Sequence, residues 1–268
     1  MTGIMNGKRG LIMGVANNHS IAWGISKALA AQGAELAFTY QGEALGKRVK
    51  PLAAELGSDF LLPCDVEDIA SVDTVLSAIE ERWGKLDFIV HAIGFSDKNE
   101  LKGLYADTTR DNFTRTMVIS CFSFTEIAKR AAGLMNEGGS MLTLTYGGSV
   151  RVMPNYNVMG VAKAALEASV RYLAADFGPR GIRVNAISAG PIRTLAGAGI
   201  SDARAMLSWQ QKHSPMRRTV TIDDIGGSAL YMLSDLSNGV TGEIHYVDSG
   251  YNITSMPVVE ALRKADAE

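Results

Sequence analysis

Apolar segments of strand length alternate with longer segments of helical periodicity along this 268-residue chain. Apolar runs separated by amphipathic helices are typical of a parallel sheet whose two faces are both covered by helices. The sequence therefore predicts an α/β fold with a doubly wound, seven-stranded parallel sheet. The predicted strands lie near residues 8–14, 34–39, 59–63, 86–92, 138–145, 181–188 and 243–247, and the predicted helices near 21–32, 43–56, 67–83, 107–134 (with a break allowed), 156–177 and 222–234.

No linker interrupts the alternation, so we expect residues 1–268 to form a single domain. Residues 190–220 differ from the rest because they join a strand to a helix by an unusually long connection. Connections of this length are often lids or binding elements. Within it, the segment from Ser201 to Trp209 has the pattern of a short amphipathic helix, which could cover a substrate with Met206, Leu207 or Trp209.

Composition argues against several classes of partner. The 26 basic and 28 acidic residues give a net charge of −2, which offers no reason to expect nucleic acid. No apolar stretch approaches the ~20 residues of a membrane helix, and Met1–Gly10 lacks the apolar core of a signal peptide, so we expect a cytoplasmic protein with no membrane partner. Cys64 and Cys121 form no CxxC pair, and we expect buried free thiols and no metal site.

The end of the first predicted strand has the position of a nucleotide-binding loop. Gly14 ends the strand, and Ser20-Ile21-Ala22 begins the helix, but the glycine fingerprint is missing because the next glycine is Gly24. Ser20 can still cap the helix, and its hydroxyl, with the amides of Ile21 and Ala22, can hold a pyrophosphate. The alternative is an ordinary serine cap without a ligand.

Residues at the ends of the next three strands could bind the remaining parts of a dinucleotide. This arrangement is typical of a Rossmann-like fold, which we therefore predict. Gln41 stands where the adenosine ribose is read, with no cation there to attract a 2′-phosphate, so we expect NADH rather than NADPH. Asp65 and Val66 could hold the adenine, although Asp65 could also cap the helix predicted from residue 67. Ile93 and Gly94 follow the fourth strand and let the backbone approach a ribose closely.

A tyrosine and a lysine lie seven residues apart at the start of an alanine-rich helix, at Tyr156 and Lys163. Two helical turns place both side chains on one face, while the rise of roughly 10 Å keeps them from bonding each other directly. We interpret the phenol as facing a substrate oxygen and the ammonium as facing a cofactor. The alternative is an amphipathic helix with a lysine that extends to solvent.

These residues together resemble the short-chain dehydrogenase/reductase superfamily, and within it the bacterial enoyl-acyl-carrier-protein reductases of type II fatty acid synthesis. The likeness runs nearly the whole chain and is strongest at Gly14 with Ser20-Ile21-Ala22, at Pro154–Lys163 and at Arg183–Thr194. Carbonyl-reducing members of the superfamily keep a tyrosine four residues before the lysine and a serine about thirteen residues earlier. Met159 and Tyr146 occupy those positions here, as in the enoyl reductases.

The resemblance implies reduction of the trans-2 double bond of enoyl-acyl-carrier-protein thioesters by NADH, the last step of fatty acid elongation. It implies catalytic roles for Tyr156, Lys163 and Tyr146, with Tyr156 donating to the developing enolate and Lys163 binding the nicotinamide ribose. It also implies a nicotinamide-binding segment at Ile192, Arg193, Thr194, Leu195 and Ala196, and substrate contacts from Ser96, Tyr146, Tyr156, Met159 and Met206. A homotetramer is expected on the same ground.

Two other functions remain open at this stage. A carbonyl reductase, acting on a 3-ketoacyl group or an alcohol, is disfavoured by Met159, because a thioether cannot donate a proton. A dinucleotide-binding regulatory protein without catalysis is disfavoured because Tyr156, Lys163 and Thr194 are all present. One departure from the resembled family is Gly147-Gly148, where a bulkier residue often follows the first tyrosine.

The long connection carries a local excess of positive charge. Its charged residues from Ile192 onward are Arg193, Arg204, Lys212, Arg217 and Arg218 against Asp202. Carrier proteins of this pathway are acidic, so a positive rim beside the substrate pocket would speed their association. The alternative is that these bases pair with acids elsewhere in the fold.

Overall fold

Seven strands form one parallel sheet in residues 3–195 and 202–258, the part of the chain that the computed structural model describes. The strands are β1 (Arg9–Met13), β2 (Glu35–Tyr40), β3 (Leu61–Pro63), β4 (Leu86–His91), β5 (Met135–Thr145), β6 (Arg183–Ala189) and β7 (Ile244–Val247). Their order is β3-β2-β1-β4-β5-β6-β7, which confirms the doubly wound sheet. The winding reverses between β1 and β4, and sheets of this kind bind ligands beyond the carboxyl ends of the strands at that point.

Helices cover both faces of the sheet. They are α1 (Ile21–Ala30), α2 (Gly42–Glu55), α3 (Ile69–Trp83), α4 (Arg110–Met117), α5 (Ser123–Ala131), α6 (Asn157–Phe177), α7 (Ala203–His213) and α8 (Ile222–Leu233). Successive strand residues point to opposite faces, so Leu11 and Met13 join the core under α3, α5 and α6, while Ile12 joins the core under α1, α2 and α8. None of the helices in the described ranges has the length and apolar character that crossing a membrane requires.

The helix predicted over residues 107–134 is two helices, α4 and α5, joined by a π turn at Val118–Phe122. Two serines in and beside this turn make side-chain hydrogen bonds to the backbone. The Ser120 hydroxyl accepts from the amide of Phe95 and donates to its carbonyl, both at 2.9 Å, while Ser123 donates to Ile119 at 2.7 Å. The π turn therefore fixes the loop that follows β4, as such turns often do at functional sites.

The N-cap residue predicted for α3, Asp65, lies about one helical turn before the N-cap that the structure shows. The helix begins at Ile69, and Asp68 is its N-cap, with its carboxylate accepting from the amide of Ala70 at 3.0 Å. Asp65 does not cap the helix, because its two carboxylate oxygens accept from the amide of Glu67 at 3.0 Å and from the side chain of Gln41 at 2.9 Å. The Asp65 carboxylate thus binds the distant side chain of Gln41 instead of capping the helix that follows it in the sequence.

Candidate active site

A cleft of about 490 Å³ runs along the carboxyl ends of the central strands. Its size is within the range of about 300–1,000 Å³ that is usual for small-molecule sites. Ten residues predicted to bind a dinucleotide line it: Gly14, Ser20, Ile21, Gln41, Asp65, Val66, Ile93, Gly94, Thr194 and Leu195. The topology therefore brings residues from both halves of the chain to one elongated site.

The turn after β1 requires a glycine. Gly14 has a φ of 103°, and a Cβ there would overlap the carbonyl group of Ala92. The first and fourth strands consequently approach each other closely at the centre of the cleft, where a side chain would otherwise fill the space.

Ser20 occupies the N-cap position of α1 but does not cap the helix, contrary to the sequence prediction. Its hydroxyl accepts from the amides of Ala16 at 3.0 Å and Asn17 at 3.1 Å, so it closes the loop before the helix instead. The first amides of α1 therefore receive no bond from this side chain, and they remain the expected anion-binding groups at the end of the cleft.

Gln41 and Asp65 form one polar pair at the far end of the cleft, joined at 2.9 Å. Sequence reasoning missed Arg115, which lines the cleft beside them. Its guanidinium lies 4.5 Å from the ring centroid of Phe95 and pairs with Glu67 at 2.8 Å. No sequence signal pointed to Arg115, because its place depends on the path of the irregular loop after β4.

Tyr156 lies immediately before α6, held between two asparagines in left-handed backbone conformations, Asn155 (φ 57°) and Asn157 (φ 30°). The amide group of Asn157 donates to the carbonyls of Glu100, Lys102 and Gly103 at 3.2–3.3 Å, which ties the start of the helix to the loop after β4. Burial raises the pKa of the Tyr156 phenol, so the group is a protonated donor at neutral pH.

Lys163 lies on α6, and its ammonium donates to the carbonyl of Leu144 at 2.8 Å. Leu144 and Gly94 both line the cleft, and a Cβ on Gly94 would lie 3.8 Å from Lys163 Nζ. The ammonium is thus at the floor of the cleft. Burial lowers the pKa of Lys163 to about 8, and electrostatic interactions with Cys121 and Glu167 oppose this effect.

Tyr146 packs edge-on against Tyr156, with 5.2 Å between ring centroids and 75° between the planes. Burial raises the pKa of Tyr146 as well. Its hydroxyl is buried without a hydrogen-bond partner among the described residues, and it borders a second cavity of about 250 Å³ between β6, β7 and the loop after β5. The two phenols therefore share one apolar environment, which adjoins the second cavity through Tyr146.

The residues predicted to contact the substrate do not all lie in one place. Met159 is buried beside Tyr156 in a small apolar cluster with Leu101, and Met206 is half-buried on α7. Ser96 lines neither cavity: its hydroxyl donates to Asn112 at 3.4 Å and accepts from Thr116 at 2.9 Å. The structure thus brings Met159 next to the phenol, while the Ser96 side chain is engaged in a polar cluster outside the cleft.

The segment after β6 only partly lines the cleft. Thr194 and Leu195 do, whereas Ile192 packs on the core beneath α1 and α8, and Arg193 is exposed. Ala196 lies outside the described residues.

The predicted helix in the long connection is present as α7, although Ser201 and the residues before it lie outside the described ranges. The indole of Trp209 donates to the hydroxyl of Tyr251 at 3.1 Å, and its ring packs at a tilt of 46° against that of His213. Among the bases of this segment, Arg218 pairs with Asp224 at 2.6 Å, so its charge is balanced internally.

The described residues contain no group of three or more His, Cys, Asp or Glu side chains that could hold a metal ion. The sheet order, the glycine turn and the cleft at the reversal of winding define a nucleotide-binding α/β protein, with the ammonium of Lys163 at the floor of its cleft.

Comparisons with known proteins identify the family. A family model described as enoyl-(acyl carrier protein) reductase matches residues 14–252, and the chain belongs to this family. It is 88% identical to the enoyl-acyl-carrier-protein reductase (NADH) 2 of Rhizobium meliloti (strain 1021), over 100% of both chains.

Solved structures of relatives have the same fold. A crystal structure of FabI from Candidatus Liberibacter asiaticus matches with a TM-score of 0.94 and 65% identity, covering 96% of this chain and 100% of that one. The reductase of Anaplasma phagocytophilum in complex with NAD matches with a TM-score of 0.93 and 58% identity, covering 97% and 99%.

Proposed function

We propose that this protein reduces the trans-2 double bond of enoyl-acyl-carrier-protein thioesters with NADH, the last step of the fatty acid elongation cycle. The observation that carries the proposal is the buried, protonated phenol of Tyr156, two helical turns before Lys163, whose ammonium lies at the floor of the cleft. The Rhizobium meliloti relative is named as an enoyl-acyl-carrier-protein reductase that uses NADH.

The lining of the cleft fits an extended dinucleotide. The Gln41–Asp65 pair would read the adenosine, with Val66 beside the adenine ring, and the amides at Ser20 and Ile21 would hold the pyrophosphate. Ile93 and Gly94 would lie along the second ribose, which Lys163 would bind through its hydroxyls. The remaining contacts, to the nicotinamide, would come from the segment Ile192, Arg193, Thr194, Leu195 and Ala196. When bound there, NADH supplies the hydride that the β-carbon receives.

Tyr156 would act on the oxygen of the thioester. Addition of a hydride at the β-carbon moves negative charge onto that oxygen, and a positioned donor there lowers the barrier. Because burial raises its pKa, the phenol donates a hydrogen bond without losing its proton. Lys163 would bind the cofactor and add positive potential that favours the enolate, while Tyr146 would support the ring of Tyr156 and exclude water.

The competing carbonyl-reductase chemistry finds no acid in the required place. Met159, four residues before Lys163, is a buried thioether packed with Leu101. We infer that Met159 and Met206 instead border the acyl chain, and Ser96 stays a predicted substrate contact.

We infer that residues 190–220 act as a lid over cofactor and substrate and also receive the carrier protein. The Asn155 side chain donates to Asp202 at 3.2 Å, which links the residue before Tyr156 to the start of α7. The far end of α7 is anchored, since Gln210 donates to the carbonyl of Asp248 at 3.1 Å. Arg204 and Lys212 are exposed on this helix and would meet an acidic carrier.

We also infer a homotetramer that works as a single-domain subunit in the cytoplasm. Large apolar side chains are exposed on α4, the π turn and α6: Phe113, Phe122, Val161 and Tyr172. Exposed apolar surface of this kind marks interaction sites. Both cysteines are buried free thiols, which suits a reducing compartment.

The test is a comparison of crotonyl thioester with acetoacetyl thioester, each supplied with NADH and followed by loss of NADH absorbance. We expect turnover of the crotonyl substrate and little of the other. Preference for the acetoacetyl substrate would identify a carbonyl reductase, and NADH binding without turnover of either would identify a regulatory protein.

A further inference from the structure

The chemistry proposed above leaves one buried carboxylate without a role. Glu167 lies on α6 with only 5% of its surface exposed. The described residues offer it a hydrogen bond from the Thr145 hydroxyl at 2.7 Å. A buried carboxylate costs several kcal/mol unless charge and hydrogen bonds compensate it, and one neutral hydroxyl compensates little. A positive group nearby would compensate the burial of this carboxylate.

That positive group is Lys163, one helical turn earlier on the same face of α6. The two side chains bond to consecutive residues at the end of β5, Lys163 to the Leu144 carbonyl and Glu167 to the Thr145 hydroxyl. They therefore lie side by side against one strand end, and both side chains are buried.

The other titratable groups around Lys163 carry no charge at neutral pH. His91 on β4 is fully buried, and burial and the charge of Lys163 lower its pKa to about 3. Cys121 in the π turn is a thiol whose pKa burial raises. Interactions with Cys121 and with Glu167 both oppose the burial that lowers the pKa of Lys163 to about 8, and Glu167 is the carboxylate of the two.

Building on the proposed function, we propose that Glu167 is a positioning residue that keeps Lys163 in the ammonium form that binds the cofactor. The carboxylate acts by charge, and it touches neither the substrate nor the reacting atoms. Without it, Lys163 would be largely neutral near physiological pH and would lose its strength as a donor to ribose hydroxyls.

The test is the dissociation constant of NADH measured by cofactor fluorescence over a range of pH. The wild-type protein should bind more weakly as pH rises through about 8. Glu167→Gln keeps an acceptor for Thr145 and removes the charge, so its midpoint should move down by about one pH unit or more. Between the two midpoints it should bind NADH up to about tenfold more weakly than wild type.

Thr145→Val is the matched control, because it removes the hydrogen bond and leaves the charge. Its midpoint should remain at the wild-type pH. The proposal would be overturned if the pH dependence of NADH binding were the same in Glu167→Gln and wild type. It would also be overturned if Glu167→Gln and Thr145→Val shifted the midpoint equally. If the glutamine variant does not fold, Glu167→Leu removes the charge with an apolar group of similar size and must show the same shift. Failure of the wild-type protein to bind NADH at any pH would instead refute the proposed function.

Discussion

The position of Tyr156 depends on the absence of a side chain at Gly148. A Cβ there would lie 2.5 Å from Cδ1 and 2.8 Å from Cε1 of the tyrosine ring, whereas ordinary contact begins at 3.4 Å. Gly148→Ala must therefore move ring and loop apart by about 0.9 Å. Tyr146 and Met159 pack around the ring and oppose this movement. Overpacking of this kind costs about 1–3 kcal/mol, and a displacement of ~1 Å at a reacting group can cost about 10²-fold in rate.

We therefore expect Gly148→Ala to lower kcat with crotonyl thioester by about 10²-fold and to lower the Tm by several degrees, while NADH affinity stays near wild type. Gly147→Ala is the control, because a Cβ there meets nothing within 4 Å and its φ is not in the left-handed region. Wild-type kcat in Gly148→Ala, or an equal loss in Gly147→Ala, would refute the role assigned to this packing.

Four further changes test the site. Tyr156→Phe should lower kcat by roughly 10²–10³ with little effect on NADH binding, and an unchanged rate would remove the tyrosine from the mechanism. Lys163→Ala should weaken NADH binding as well as rate, which fluorescence titration checks. Gln41→Arg should reduce the preference for NADH over NADPH, because the arginine would bind the 2′-phosphate of NADPH; equal wild-type efficiency with both cofactors would contradict the prediction. Arg204→Glu should reduce the salt-sensitive kcat/KM for an acyl-carrier-protein substrate and spare a coenzyme A thioester; equal effects on both would place carrier docking elsewhere.

The sheet could be predicted from the sequence because each strand is a short apolar run whose two faces are both buried. Residues at strand ends then fall at one edge by topology, and this was enough to bring Gly14, Gln41 and Asp65 to one cleft. Local polar contacts were less predictable. Ser20 and Asp65 are both of residue types that commonly cap helices. However, the Ser20 hydroxyl bonds to its own loop, and the Asp65 carboxylate bonds to Gln41, which follows β2.

Glu167 and Arg115 were missed for a related reason. A glutamate on a long helix is usually solvated, and only the fold shows that this one faces β5 beside Lys163. Arg115 enters the cleft because the π turn after α4 and the loop after β4 are fixed together through Ser120. Sequence periodicity indicates which face of a helix is apolar, but not which polar residues share that face.

The phenol and the ammonium are held by separate parts of the fold. Tyr156 precedes α6 and depends on the strained backbone at Asn157 and on the gap at Gly148. Lys163 is inside the helix and depends on the carbonyl of Leu144 and the charge of Glu167. A residue before a helix can be moved by its loop without turning the helix, so the donor to the substrate and the donor to the cofactor can be tuned independently. This separation is why Gly148→Ala should act on kcat and Glu167→Gln on cofactor affinity, although the tyrosine and the lysine are only two turns apart.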